Sequence, residues 1–183
     1  MAFAMVNPLS QGTIIIKGTP DDVFNFLNSS AGVEGVPDGR ELPEALISAD
    51  AFLPIPDVIK GRYYCQSCGR PPIFDSERHT CPSCGKQLVS AGLDWAEQNW
   101  GTSTGLLSVR KIEAPLHGNR ATYDFECDKI PQKLFIAISK VYPSLMFILR
   151  FRERLGNTDK FLERELKIQA GRTLQASILR SPY

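Results

Sequence analysis

The element order strand, helix, long connection, strand, strand, helix, strand predicts an α+β chain, the split βαβ sandwich of ferredoxin-like domains. Two Cys-x-x-Cys pairs twelve residues apart predict a zinc ribbon inserted in the long connection. The length of 183 residues, 43% of them hydrophobic, suits one domain with its own core and room for an insertion. The expected organisation is 1–60 for the first strand, helix and Pro/Gly-rich connection, 61–89 for the inserted ribbon, and 90–183 for the remainder of the ferredoxin-like unit.

Thr13-Ile-Ile-Ile-Lys17 is β-branched and lies between Gly12 and Gly18, which predicts the first strand. Thr19-Pro-Asp-Asp22 then starts a helix: Thr19 caps, Pro20 suits the first position, and the two acids favour the positive end of the dipole. Val23, Phe26 and Leu27 form its apolar face, and Ser29 to Gly32 end it. From Val33 to Lys60 recurring Pro and Gly predict loop, with one short helix around Pro43 to Ser48. Ala91 to Trp100 reads as a helix running into Gly101. Leu106 to Ile112 and Ala121 to Cys127 read as strands joined by a turn around Leu116-His-Gly-Asn119. The second strand alternates, with Ala121, Tyr123, Phe125 and Cys127 on the core face and Thr122, Asp124 and Glu126 on an acidic open face. Pro131 opens a helix carrying Leu134, Phe135, Ile138, Val141 and Tyr142, and Pro143 stops it. Ser144 to Arg152 is a strand, apolar on both faces through Leu149 and therefore central. Lys160 to Ser181 reads as a hairpin turning at Ala170-Gly171, with a helix over Phe161 to Gln169 as the competing reading. Phe26, Tyr123, Phe125, Leu134, Ile138, Leu145 and Phe147 are the expected core.

The paired cysteines carry the chemistry. Cys65-Gln-Ser-Cys68 and Cys81-Pro-Ser-Cys84 each present two thiolates, and four thiolates complete a tetrahedral shell around Zn²⁺ at about 2.3 Å. Gly69 and Gly85 follow each pair and let backbone amides approach sulfur, while Tyr63-Tyr64 and Gln87-Leu-Val89 read as the ribbon strands. Disulfides and another metal such as iron are the competing readings. A four-cysteine shell leaves no seat for water, so the expected ion, one per chain, is structural. His79 reads as a loop residue or a donor to a ligand sulfur, and Cys127 as a buried small hydrophobe. His117 sits in the expected turn. With no glycine-rich phosphate loop and no nucleophile beside a base, no enzyme is expected.

Charge narrows the partners. Lys and Arg number 21 and Asp and Glu 20, a net of +1 that argues against a general polyanion binder. Apolar runs such as Leu145 to Leu149 fall far short of the roughly 18 residues of a membrane span. Met1 to Met5 lacks a basic stretch followed by a long apolar one, so the expectation is a cytoplasmic protein without a membrane partner. Locally the balance is uneven, −6 over 1–59 and +4 over 150–183. That asymmetry reads as two mutually attracting solvated faces or as a basic patch for a phosphate backbone or an acidic partner.

Several short segments occur together in order: Val23-Phe-Asn-Phe26 after the opening strand and Gly18, Phe52-Leu-Pro-Ile-Pro56, Asn99-Trp-Gly-Thr102 after a helix carrying Trp95, and Val141-Tyr-Pro-Ser-Leu145 before an apolar strand. The set resembles the YubB-type ferredoxin-like family of conjugative plasmids and phages. That resemblance implies a ferredoxin-like fold, no known catalytic activity and an accessory role in a mobile element. The chain departs from the family where Ser103-Thr104 replace Lys-Trp after Trp-Gly-Thr, and where the ribbon, Gly61 to Leu88, replaces a helical region.

The expected function is thus a non-catalytic zinc-containing binding protein of a mobile genetic element. It would act on a protein or nucleoprotein partner, for example as an inhibitor of a bacterial defence system such as an anti-CRISPR. The alternative is nucleic-acid binding through the ribbon and a basic C-terminal surface; no small-molecule substrate is identified. Candidate contact residues are Arg70, Ile73, Phe74 and Arg78 at the ribbon tip, an apolar pair rimmed by charge. Arg150, Arg152, Arg154 and Arg164 would add electrostatic steering. Asn99 to Thr102 reads as a structural corner, with a ligand groove beside it as the competing reading.

Overall fold

The computed structural model describes residues 10–30, 49–69, 80–103, 106–113, 118–154 and 160–180. Along the chain these form β1 (Ser10–Lys17), α1 (Pro20–Ser30), α2 (Ala49–Phe52), β2 (Tyr63–Tyr64), β3 (Val89–Ser90) and α3 (Ala91–Trp100). There follow β4 (Leu107–Glu113), β5 (Arg120–Cys127), α4 (Gln132–Val141), β6 (Met146–Arg154), β7 (Phe161–Gln169) and β8 (Arg172–Arg180). The architecture is mixed α+β: an antiparallel sheet in the order β4-β5-β1-β6-β7-β8 beside a separate two-stranded β2-β3 pair. No helix among the described residues is long and apolar enough to cross a membrane.

Strand alternation decides which residues meet the helices. Ile14 and Ile16 of β1, Tyr123 and Phe125 of β5, and Phe147 and Leu149 of β6 join Phe26 and Leu27 of α1 and Leu134 and Ile138 of α4 in one buried cluster. All seven residues expected in the core are at most 1% exposed. Phe26 is the hub: its ring stacks on Phe52 at 5.3 Å and meets Tyr142 and Phe147 edge-on at 5.2 and 5.3 Å. It thereby ties α1 to α2, to the end of α4 and to the sheet.

Local chemistry sets the ends. The Asp22 amide donates to Thr19 Oγ1 at 3.2 Å, closing the first turn of α1. Ser90 accepts from the Leu93 amide at 3.4 Å to start α3, and Gly101, at φ +84°, ends it. Ala170 (φ +49°) and Gly171 (φ +77°) turn β7 into β8, the left-handed pair that a two-residue hairpin requires. The Gly171 amide donates to Ser139 Oγ at 2.9 Å, docking that turn on α4.

The hairpin expected at Ala170-Gly171 is present, and two strand boundaries change. The tail is a hairpin, not a helix: the register pairs that join β6 to β7 would have to break to coil Phe161–Gln169, and Leu162, Leu166 and Ile168 reach burial only as alternate strand residues. β1 does not start after Gly12 but runs through it from Ser10. β6 ends at Arg154, not at Arg152. The helix expected at Pro43–Ser48, and Leu116 and His117 of the expected turn, lie outside the described residues.

Candidate metal centre

The four paired cysteines converge from two similar backbone turns. In the first, the Gly69 amide donates to the Cys65 carbonyl at 3.2 Å; in the second, the Gly85 amide donates to the Cys81 carbonyl at 2.8 Å. Gly69 and Gly85 have φ of +62° and +68°, and a Cβ would meet nothing within 4 Å at either. Backbone conformation, not space, therefore calls for glycine there. The Cys81 amide donates to the Lys86 carbonyl at 2.7 Å, and Thr80 bridges Gln87, so the second pair sits in its own small hairpin.

The sulfur geometry can be tested against a metal. Four bonds of about 2.3 Å in a tetrahedron put sulfurs about 3.8 Å apart. Here Cys65 Sγ lies 3.5 Å from Cys84 Sγ and Cys68 Sγ 3.6 Å from Cys81 Sγ. All four sulfurs lie within 4.8 Å of one another, and none of the four is in a disulfide. The set fits one metal ion held by four soft donors.

Electrostatics favour thiolate at two positions. The backbone amides of Ser83 and Cys84 push the Cys81 thiol down to about 6. The Cys68 amide lowers that of Cys65. The Lys86 amide also favours the Cys84 thiolate, yet the sulfur of Cys65 and desolvation outweigh it, and that thiol moves up. Positive charge at the centre of the cluster is what would let all four ionise together.

Among the described residues, little else holds this segment. Its buried cluster is Cys65, Cys81 and Leu88 with Tyr63 against them, separate from the main core, while Cys68 and Cys84 are exposed. It is fastened to α3 by the Ala91 amide on the Arg62 carbonyl at 2.9 Å and by the Tyr64 hydroxyl on Asp94 at 2.9 Å.

The remaining candidates divide. Arg70, Ile73, Phe74, Arg78 and His79 lie outside the described residues. Arg150 and Arg152 share one sheet face, where Arg150 pairs with Glu165 at 2.7 Å and Arg152 with Glu163 at 3.0 Å. Arg164, one residue out of phase, faces the other side and pairs with Glu153 at 3.4 Å. Arg154 ends β6 opposite Phe161. The +4 of this region is therefore not a free cationic surface at Arg150, Arg152 and Arg164, because the neighbouring strand supplies a carboxylate to each.

Asn99–Thr102 forms a corner. Trp100 is 6% exposed, donates to the Leu53 carbonyl at 2.9 Å and meets Trp95 edge-on at 5.8 Å. Asp128 fastens the chain beyond Gly101, taking the Thr102 hydroxyl and the Ser103 hydroxyl, the latter at 2.7 Å. Nothing in the sequence singled out Asp128, since its partners lie 25 and 26 residues away. Burial, then the Asp128 charge, push the Cys127 thiol up to about 12, the state of an inert core residue. No protein-family model, curated protein or solved structure matches this chain.

Proposed function

We propose that this chain is a non-catalytic binding protein, stapled by one structural Zn²⁺ on Cys65, Cys68, Cys81 and Cys84, that acts by contact with a protein or nucleoprotein partner. The carrying observation is the convergence of four cysteine sulfurs, none of them in a disulfide, within 4.8 Å in a segment where Leu88 is the other buried apolar group among the described residues. Four protein sulfurs fill a tetrahedron and leave no position for a reacting water, so the metal contributes folding energy and not chemistry. Zn²⁺, which has no redox chemistry and accepts a closed thiolate shell, suits that role better than iron.

The strand order β4-β5-β1-β6, with α1 and α4 in the crossovers, supports a ferredoxin-like unit extended by the β7-β8 hairpin and interrupted by a zinc ribbon over 61–89. The role in a mobile element, with inhibition of a host defence complex as one form, is supported by the resemblance to the YubB-type family. Nucleic-acid binding by the C-terminal arginines is the weaker reading, since Arg150, Arg152 and Arg164 already carry carboxylate partners.

Native mass spectrometry and elemental analysis of the full chain should find one zinc per chain, and Cys68→Ser should lose it. Tagged chain should then retain a host protein after nuclease treatment, and the purified partner should bind it directly. Absence of zinc refutes the metal, and capture abolished by nuclease refutes the protein partner.

A further inference from the structure

The sheet face that carries Arg150 and Arg152 holds a groove of about 640 Å³ running along β1. Its floor is Gln11 and Thr13, short polar side chains of the strand between β5 and β6. Register puts Glu126 beside Gln11 and Asp124 beside Thr13 on one flank, and Arg152 and Arg150 beside the same two residues on the other. One wall is thus acidic and the other basic. They stand two strand spacings, about 9–10 Å, apart.

Both walls keep capacity for a ligand. Arg150 and Arg152 hold their β7 carboxylates through Nε, and their side chains are 54% and 61% exposed. Each guanidinium has five donors, so the terminal nitrogens can take an incoming carboxylate without breaking the existing pair. On the acidic side Thr13 Oγ1 donates to Asp124 Oδ1 at 3.1 Å, while Gln11 reaches Glu126 only at 3.4 Å and Arg110 reaches Asp124 only at 3.5 Å, so each carboxylate keeps acceptor sites toward the groove.

We infer that this groove binds an extended peptide segment of alternating charge, presented by the protein partner of the proposed function, on which this inference rests. Extended backbone sends successive side chains to opposite sides and repeats each side about every 6.8 Å. Asp124 and Glu126, and likewise Arg150 and Arg152, repeat at that same two-residue interval. A Lys-Glu-Lys-Glu segment therefore offers all its cations to β5 and all its carboxylates to β6. A polyanion meets the Asp124–Glu126 wall and a polycation meets the arginine wall, so each is opposed on one side.

The test uses the full zinc-loaded chain and three blocked hexapeptides, (Lys-Glu)₃, Lys₆ and Glu₆, followed by calorimetry and amide chemical shifts. (Lys-Glu)₃ should bind saturably, shifting Gln11, Thr13, Asp124 and Arg150, and each uniform peptide should bind at least roughly tenfold more weakly. D124N/E126Q and R150Q/R152Q, with melting temperatures checked, should each weaken (Lys-Glu)₃ by about tenfold or more. Equal binding of a uniform peptide, shifts confined elsewhere, or no binding overturns the inference, and the wild-type shifts decide it even where a variant fails to fold. Partner capture unchanged in both double variants also overturns it. Peptide binding intact with no protein partner found sinks the proposed function instead.

Discussion

Gly12 is where a single methyl group tests the sheet register. It pairs with Phe125 on one side and Phe151 on the other, and a Cβ there would lie 2.6 and 2.7 Å from the Phe125 ring and 2.8 Å from the Arg150 carbonyl oxygen. The ring is 1% exposed, so it cannot swing away, and the oxygen belongs to a strand in the middle of the sheet. Against the clash stands the lower unfolded-state entropy of alanine, about 0.4–1 kcal/mol. Overpacking of this kind costs about 1–3 kcal/mol, and two classes of short contact put Gly12→Ala toward the upper end. Phe125→Leu removes the ring contact but leaves the carbonyl one, so the double variant should recover about 1 kcal/mol relative to the sum of the singles. Urea unfolding at fixed zinc should show a lower midpoint with unchanged slope. A Gly12→Ala variant as stable as wild type, or strict additivity with Phe125→Leu, would refute the register of β1 against β5.

Alkaline stability should report two buried acids. Desolvation raises Tyr123 from 10.0 to about 12 and, with the Asp128 charge, Cys127 from 9.0 to about 12. Because the folded chain keeps protons that the unfolded chain releases, their contribution is complete below about pH 9 and is lost as pH rises toward 12, at about 1.4 kcal/mol per pH unit per ionising group. Cys127→Ala should delay the onset by about one pH unit in urea titrations between pH 8 and 11; an unchanged onset would exclude the buried thiol as its source. At the β7-β8 turn, Ala170→Gly should stabilise by a few tenths of a kcal/mol or more by relieving φ +49°. Gly171→Ala should destabilise by about 1 kcal/mol or more, because its Cβ would lie 2.6 Å from Lys140 Cγ at φ +77°. Thermal melts of the two variants that move in the same direction would contradict the turn geometry.

Where local chemistry decides a structure, the sequence is a good guide. Thr19-Pro-Asp-Asp marks the start of α1, alternation from Ala121 to Cys127 identifies the buried face of β5, and the cysteine spacing brings four sulfurs together. Where a distant partner decides it, local reading fails. Gly12 looks like a strand breaker in isolation, yet it is the one residue that fits between Arg150 and the Phe125 ring, 113 residues further on. The tail is ambiguous in sequence for a related reason. Phe161 to Gln169 satisfies either period until β6 offers it a ladder of hydrogen-bonded partners, and then pairing outweighs propensity.

The charges carry the same lesson into function. Counting by segment gives 150–183 a local +4 and invites a basic surface. In a sheet, however, a residue's neighbours across the ladder matter more than those along the chain. Arg150 and Arg152 meet Glu165 and Glu163 because β6 and β7 pair in that register, and the same alternation turns Arg164 to the opposite face. The mark of this face is not an excess of either sign but its ordering: β5 acidic, β1 short and polar, β6 basic, β7 acidic again. An ordered pattern in which rows of opposite sign adjoin gives little long-range steering and strong short-range selection. Binding there should accordingly depend on the sequence order of a ligand's charges more than on their sum, which is the property that the uniform and alternating peptides separate.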